Sequence, residues 1–150
     1  MVRPSLIGNV IDEVSFPVER GKVREFSVAA HDSNPIYFDP VAARAAGYAD
    51  IPAPLTYAVV AMHWRERGVE ALPAALGLDV GRVVHGEASW EYFGPVCVGD
   101  ELHGVRRVVD VAVREGRRGG RMTIVELETD FNNQKGELVI RQRDRIIERA

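Results

Sequence analysis

The sequence predicts an α+β fold, an antiparallel sheet wrapped around one long apolar helix, and three observations carry that expectation. Helical patterns occupy the first half of the chain, and from Val83 onward the residues read as strands separated by Gly- and Asn-containing turns. The stretch from Leu55 to Trp64 is apolar on nearly every side, the mark of a helix enclosed by other elements. The turns between the later strands are short, which favours antiparallel pairing over βαβ crossovers. No repeat and no linker interrupts the chain, so residues 1–150 are expected to form a single domain.

Taken in order, Val14-Ser15-Phe16-Pro17-Val18 is a strand at a sheet edge, because Pro17 has no N–H to give an interior ladder. Lys22 to Ala30 sets Val23, Phe26 and Ala30 on one stripe of a short helix, which stops before the turn-forming Asn34-Pro35. Asp39 to Gly47 is a capped helix, with Asp39 as N-cap, Pro40 in the first position and Gly47 at the exit. Pro52 and Pro54 keep 48–54 irregular. The apolar helix follows from Leu55, and Arg65-Glu66-Arg67-Gly68 closes it.

Residues 69–81 are expected to be loop. Val83 to Phe93 is rich in β-formers. Leu102 to Val113 places Val105, Val109, Val111 and Val113 on one face, and Met122 to Phe131 does the same with Thr123, Val125, Leu127, Thr129 and Phe131. Asn132 to Gly136 turns, and Leu138 to Glu148 is the last strand. A sheet around one helix leaves edges and a flank to cover, so a dimer is expected.

Composition excludes several function classes. The chain is 46% hydrophobic, carries a net charge of −3, and so gives no reason to expect a nucleic-acid partner. The run from Arg114 to Arg121 is locally basic and reads as a solvated hairpin tip. One cysteine, Cys97, rules out an internal disulfide and a cysteine-rich zinc site, and its setting between Pro95 and Gly99 suggests a small buried hydrophobe. The start of the chain lacks the apolar core of a secretory signal, and no apolar run reaches the ~20 residues of a membrane span, so a cytoplasmic protein without membrane attachment is expected. No histidine pair has metal-binding spacing, and neither a metal nor a cofactor is implied.

Chemistry concentrates in Asp32-Ser33-Asn34-Pro35-Ile36-Tyr37, where a carboxylate, a turn and a phenol fall within six residues. Asp32 is either a general base or a turn cap that bonds its own backbone. Tyr37 is either a hydrogen-bond donor to substrate or a packed ring with a polar tip. His31 precedes Asp32 and is a weaker candidate. His85 opens the first long strand, His63 falls within the apolar helix as a core histidine, and His103 starts a strand on the surface. The backbone N–H groups of Leu55 and Thr56, opening the central helix after Pro54, are candidate donors to a substrate carbonyl.

The segment Asp32-Ser33-Asn34-Pro35-Ile36, with Ala43, Gly47-Tyr48 and Ile51 behind it, resembles the hydratase motif of the MaoC-like (R)-specific enoyl-CoA hydratases and 3-hydroxyacyl dehydratases. Val84-His85-Gly86-Glu87, Tyr92-Phe93-Gly94-Pro95-Val96, Val98-Gly99-Asp100, Gly119-Gly120-Arg121 and Asn132 to Val139 are similar to the N-terminal-type, FAS1-like dehydratase domain. The resemblance runs from about 15 to 148 and implies the hot-dog fold, a sheet wrapped around a long helix. It further implies reversible addition of water to an enoyl thioester of CoA or acyl carrier protein. The family's catalytic pair is an Asp and a His five residues later, with a helix-start N–H polarising the thioester carbonyl.

Carried over by residue, Asp32 matches the aspartate, Asn34-Pro35 the turn, and Tyr37 stands where the histidine belongs. A phenol is almost wholly protonated at neutral pH and makes a poor base. In this family such a Tyr-type half resembles the non-catalytic partner of a heterodimer, shaping the acyl tunnel while the other subunit brings Asp and His. The resemblance therefore implies Asn34, Pro54, Leu55 and Thr56 as substrate-binding positions, with an acyl-CoA or acyl-carrier-protein thioester and a second MaoC-like subunit as partners. A self-sufficient homodimeric hydratase using Asp32 with Tyr37 or His85 stays open beside it, as do a hot-dog thioesterase and an acyl-binding module without turnover.

Overall fold

A computed structural model describes residues 4–65, 71–115 and 120–150. Five strands form one antiparallel sheet: β1 (Val10–Pro17), β2 (Val83–Tyr92), β3 (Glu101–Glu115), β4 (Arg121–Asn132) and β5 (Leu138–Glu148). Their spatial order is β1-β3-β4-β5-β2, so both β1 and β2 are edges. Pro17 ends β1 at the sheet margin, where its missing N–H costs nothing. The strands of the second half thus form as their composition predicts, and the α+β expectation holds.

The inner face of the sheet carries the core. On β4 the alternation is as expected, with Thr123, Val125, Leu127, Thr129 and Phe131 all buried. On β3 the expected face is wrong for Val105 and Val109, whereas Val111, beyond the register shift, pairs with the inward Val125 and packs on the second core cluster as expected. Leu102, Gly104, Arg106 and Val108 point inward, and Val109 and Val113 are exposed. A valine-rich strand hides its phase when an arginine and a glycine take inward positions, and a register shift between Val108 and Asp110 then changes which residues face in. Gly104 is inward because Phe131 lies across it, with the Phe131 ring 2.5 Å from where a Cβ would stand.

Helix α1 (Arg20–Ala29) follows β1 and buries Val23 and Ser27, with Phe26 packed against the core; Ala30 is exposed, contrary to the expected stripe. The Ser27 hydroxyl is satisfied inside the helix by the Val23 carbonyl at 2.9 Å, so burial costs it no hydrogen bond. Helix α2 (Pro40–Ala45) forms as expected: the Asp39 carboxylate accepts the Val41 N–H at 2.8 Å, and Gly47 leaves at φ 95°. A third short helix, α3 (Ala71–Ala75), and a 3-10 turn at Val80–Arg82 occupy ground expected to be loop. Leu72 packs there beneath the second core cluster, which a Pro- and Gly-punctuated segment does not advertise.

The central element differs most from expectation. It is a 3-10 helix of eight residues, Tyr57–Trp64, and not a long α-helix from Leu55. Tyr57, Ala58, Val60 and Ala61 are buried against Val14, Phe16, Phe131 and Ile140 of the sheet. Leu55 (69% exposed), Val59 and Met62 (46%) face outward, and His63 is exposed instead of core-bound. The element is apolar all round, yet this chain covers one side only. Residues 66–68, expected to close the helix, and 116–119, the centre of the basic run, lie outside the described residues.

Candidate active site

Helix α1 ends in a Schellman motif that presents Asp32. His31 takes the left-handed conformation (φ 55°) and its N–H donates to the Val28 carbonyl at 3.1 Å, while the Asp32 N–H reaches back to the Ser27 carbonyl at 2.9 Å. His31 therefore has a backbone task as the residue that turns the chain out of the helix. Histidine tolerates this conformation better than most non-glycine residues.

Beyond it, the loop is stitched by its own side chains. The Asn34 N–H donates to Asp32 Oδ1 at 3.0 Å, and the Ile36 N–H to Asn34 Oδ1 at 3.2 Å. Asp32 thus does act as a turn cap, and the Asn34 side-chain oxygen is spent locally. Asp32 is exposed, as are Ser33 and Asn34. The 3-10 turn Pro35–Tyr37 leads into Phe38, whose ring lies under the Arg24 guanidinium at 5.2 Å and is held to α1 by it.

Tyr37 is partly buried. Burial first, then the neighbouring Asp32 carboxylate and the Tyr48 and Tyr92 phenols, push its hydroxyl above the ordinary tyrosine range. A group held this firmly in its protonated form donates hydrogen bonds and does not accept protons. Asp32, Tyr37, Tyr48 and Tyr92 thereby form one neighbourhood.

The segment before the central helix is positioned by a short antiparallel bridge. The Ala53 N–H donates to the Val96 carbonyl at 2.8 Å and the Val98 N–H to the Ile51 carbonyl at 2.9 Å, with Pro52 opposite Cys97. Cys97 is buried there, as expected, and burial pushes its thiol up and away from nucleophilic character. Pro54 to Tyr57 then closes a type II turn, with the Tyr57 N–H on the Pro54 carbonyl at 3.0 Å and Thr56 at φ 70°, ψ −1°. A β-branched residue in that position is strained.

The Thr56 N–H, a candidate donor to a substrate carbonyl, already has a partner: it donates to the Tyr92 hydroxyl at 3.0 Å. Tyr92 stands in a family-like run, but nothing in the sequence ties it to Thr56, because that partner is 36 residues away and is a backbone group.

His85 does not belong to this neighbourhood. It stands seven residues before Tyr92 on β2, a separation of roughly 20 Å at about 3.3 Å per residue. Its Nε2 lies 3.2 Å from Asp144 Oδ1. His103 is exposed on β3 and bonds Ser15 through Nδ1 at 2.9 Å, as a surface residue would.

The model of the FAS1-like dehydratase domain region matches residues 5–142. The chain belongs to the FAS1-like dehydratase family. Among its relatives are a UPF0336 protein of Streptomyces griseus subsp. griseus, 37% identical over 136 residues that span 91% of this chain and 87% of that one, and a UPF0336 protein of Clavibacter michiganensis subsp. michiganensis, 43% identical over 116 residues and 77% of each. Among solved structures, the HadBC (3R)-hydroxyacyl-ACP dehydratase complex of Mycobacterium tuberculosis is similar at 27% identity and a TM-score of 0.73, over 91% of this chain and 94% of that one. The ChsH1–ChsH2 complex of the same organism shares the fold at 22% identity and a TM-score of 0.72, over 91% of this chain and 82% of that one. The five-stranded antiparallel sheet with its central helix is the hot-dog fold, and the structural neighbours of this member of the FAS1-like dehydratase family include MaoC-like dehydratases.

Proposed function

We propose that this FAS1-like dehydratase is the substrate-shaping subunit of a heteromeric hydro-lyase that interconverts enoyl and (R)-3-hydroxyacyl thioesters of CoA or acyl carrier protein. One observation carries the reading: Tyr37 stands where the family motif has histidine, and its surroundings hold the phenol protonated. The hydrogen bond from Thr56 to Tyr92 supports it, since the helix-start donor of this chain is engaged by the chain's own side chain. In this reading, Asp32 shapes a turn, and the water-activating pair comes from the partner. The exposed apolar residues Leu55, Val59 and Met62 on the central helix, and the open edge of β2, are where a second hot-dog subunit docks. The similarity to HadBC, itself a complex of subunits, favours a second subunit here too.

A second reading, a homodimeric hydratase using Asp32, draws on one observation: Asp32 is exposed beside Tyr37, where a substrate could reach it. The two readings separate in one assay. The purified chain alone is expected to leave crotonyl-CoA unhydrated, and a mixture with a similar-sized subunit bearing Asp-x-Asn-Pro-x-His to hydrate it. Enzyme-like turnover by the chain alone overturns the first reading and supports the second.

A further inference from the structure

The outer face of the sheet is a ladder of charged columns. The register sets Glu126 of β4, Arg145 of β5 and Glu87 of β2 in one row, Glu128, Arg143 and Ser89 in the next, and Asp130, Arg141 and Glu91 in the third. Three acids thus stand on β4, three arginines on β5, and two further acids on the open edge. The arginines are turned mainly toward β4. Arg141 gives Nε and Nη2 to Asp130 at 2.7 and 3.1 Å, Arg143 gives Nε to Glu128 at 2.9 Å, and Arg145 gives Nε and Nη2 to Glu126 at 3.1 and 2.6 Å. Toward the edge, Arg145 Nη1 donates to Glu87 at 2.7 Å. Glu91 accepts no hydrogen bond among the described residues and feels Arg141 from beyond ion-pair distance. The edge of β2 therefore carries negative charge in excess of the arginines that serve it.

The backbone of the same edge is open at defined residues. The Phe93 N–H donates to the Val139 carbonyl at 2.9 Å, so in this antiparallel pair Glu87, Ser89, Glu91 and Phe93 turn their amides toward β5. Ala88, Trp90 and Tyr92 turn theirs outward, where an added strand bonds them. The two flanks of the edge differ. Beneath it, Leu55, Val59 and Met62 of the central helix are exposed, and the Thr56–Tyr92 hydrogen bond joins that helix to the strand. Above it stand Glu87 and Glu91, both exposed. In such a contact apolar area supplies affinity, and charge decides the partner. A second copy of this chain meets the edge badly. Antiparallel pairing centred on Ser89 sets Glu87 of each copy opposite Glu91 of the other, and pairing centred on Trp90 sets the two Glu91 side chains on a diagonal of about 7–8 Å. Like charges so placed oppose the pairing.

We propose that the acid row of β2 selects the partner: the edge takes a second hot-dog subunit whose own edge strand carries lysine or arginine on its outer face opposite Glu87 and Glu91, and it turns away a second copy of this chain. The proposal deepens the heteromeric reading above and rests on it for the class of partner. Cations on the partner strand supply the charge that Arg141 and Arg145, committed to β4, do not. A guard against aggregation alone works with charge of either sign. An excess of one sign beside an exposed apolar flank also discriminates between partners, because it repels one and attracts the other.

A charge-reversed copy of the chain, Glu87→Lys with Glu91→Lys, is a probe of that description with the same backbone and apolar surface. Native mass spectrometry and sedimentation of the wild-type chain, the reversed chain and their mixture read the pairing, with circular dichroism as the check on folding. The mixed pair is expected to be tighter than either self-pair by about tenfold or more, a factor worth about 1.4 kcal/mol. Raising the salt from about 0.1 to about 1 M, which cuts the Debye length from about 10 to about 3 Å, is expected to shrink that preference. Glu87→Gln with Glu91→Gln, which removes the repulsion without reversing it, is expected to pair with itself more tightly than the wild type does. A wild-type self-pair as tight as the mixed pair, a mixture that forms no mixed pair, a preference untouched by salt, or a glutamine variant that self-pairs no better than the wild type each overturns the proposal. The hydro-lyase reading fails separately. Hydration of crotonyl-CoA by a wild-type chain that does not self-pair overturns that reading alone, and self-pairing of the wild type without turnover overturns this proposal alone.

Discussion

The Tyr92 hydroxyl accepts the backbone N–H of Thr56 at 3.0 Å, joining the end of β2 to the start of the central helix. Thr56 is the residue in the left-handed position of the Pro54–Tyr57 turn, so a side chain from the sheet steadies the most strained backbone of the loop. Removing the acceptor by Tyr92→Phe leaves the donor to water. The expected cost is about 1 kcal/mol in urea denaturation, with turnover of a reconstituted complex unchanged within about twofold, well under the ~1.4 kcal/mol of a tenfold effect. A large fall in turnover with Tyr92→Phe would assign the hydroxyl a role in the reaction.

Tyr37→His restores the family's pair on paper. It is expected to give this chain little hydratase activity by itself, because Thr56 stays engaged by Tyr92. Tyr37→His combined with Tyr92→Phe is expected to give more than the sum of the single changes, as coupled positions in one site do. Steady-state hydration of crotonyl-CoA by the three variants reads this out.

Asp144→Ala leaves Arg106 buried without its carboxylate and takes an acceptor from Gln142 as well. Losing one partner of a buried pair costs on the order of 3 kcal/mol or more, which chemical denaturation measures. Replacing an exposed partner in the outer-face ladder, such as Arg143 against Glu128, is expected to cost under about 1 kcal/mol.

Gly104→Ala sets a methyl group against the buried Phe131 ring, 2.5 Å from Cε1 and 2.7 Å from Cδ1. The ring must move within a full core, at a cost of about 1–3 kcal/mol. Partial relief by Phe131→Leu in the Gly104→Ala background, followed by thermal denaturation, separates this clash from a general loss of β3.

Tyr57 gives a pH-dependent expectation. Burial and the nearby Glu19 and Glu25 carboxylates raise its hydroxyl to about 12 from the ordinary 10. Its folded-state affinity for the proton exceeds the unfolded one, so its contribution is fully present below pH 10. Between pH 10 and 12 the unfolded chain releases this proton more readily, and stability falls. Tyr57→Phe is therefore expected to lose less stability than the wild type between those pH values in denaturant titrations.

Much of this molecule is legible in its sequence because local chemistry and global fold agree there. Asp39, Pro40 and Gly47 specify α2 through cap, fixed φ and exit, and nothing distant overrides them. The alternation of β4 reads correctly since every inward residue from Thr123 to Phe131 suits burial. On β3 the same logic fails, because Arg106 is inward through partners on β4 and β5 that β3 itself does not reveal. The central helix misleads for a related reason. Its apolar residues serve two surfaces, one inside this chain and one exposed, and hydropathy does not distinguish them. Asp32 and Tyr37 were findable as a motif; the bond of Tyr92 to Thr56 and the buried pairing of Asp144 with Arg106 depend on contacts across 36 and 38 residues.

The central claim is that the carboxylate which activates water is not Asp32. It is tested most directly by reconstituting the complex with Asp32→Asn in this chain and measuring hydration of crotonyl-CoA. The account predicts kcat within about threefold of the wild-type complex, a barrier change under about 1 kcal/mol. A loss of about a thousandfold or more, near 4 kcal/mol, with the complex still assembled, would contradict it.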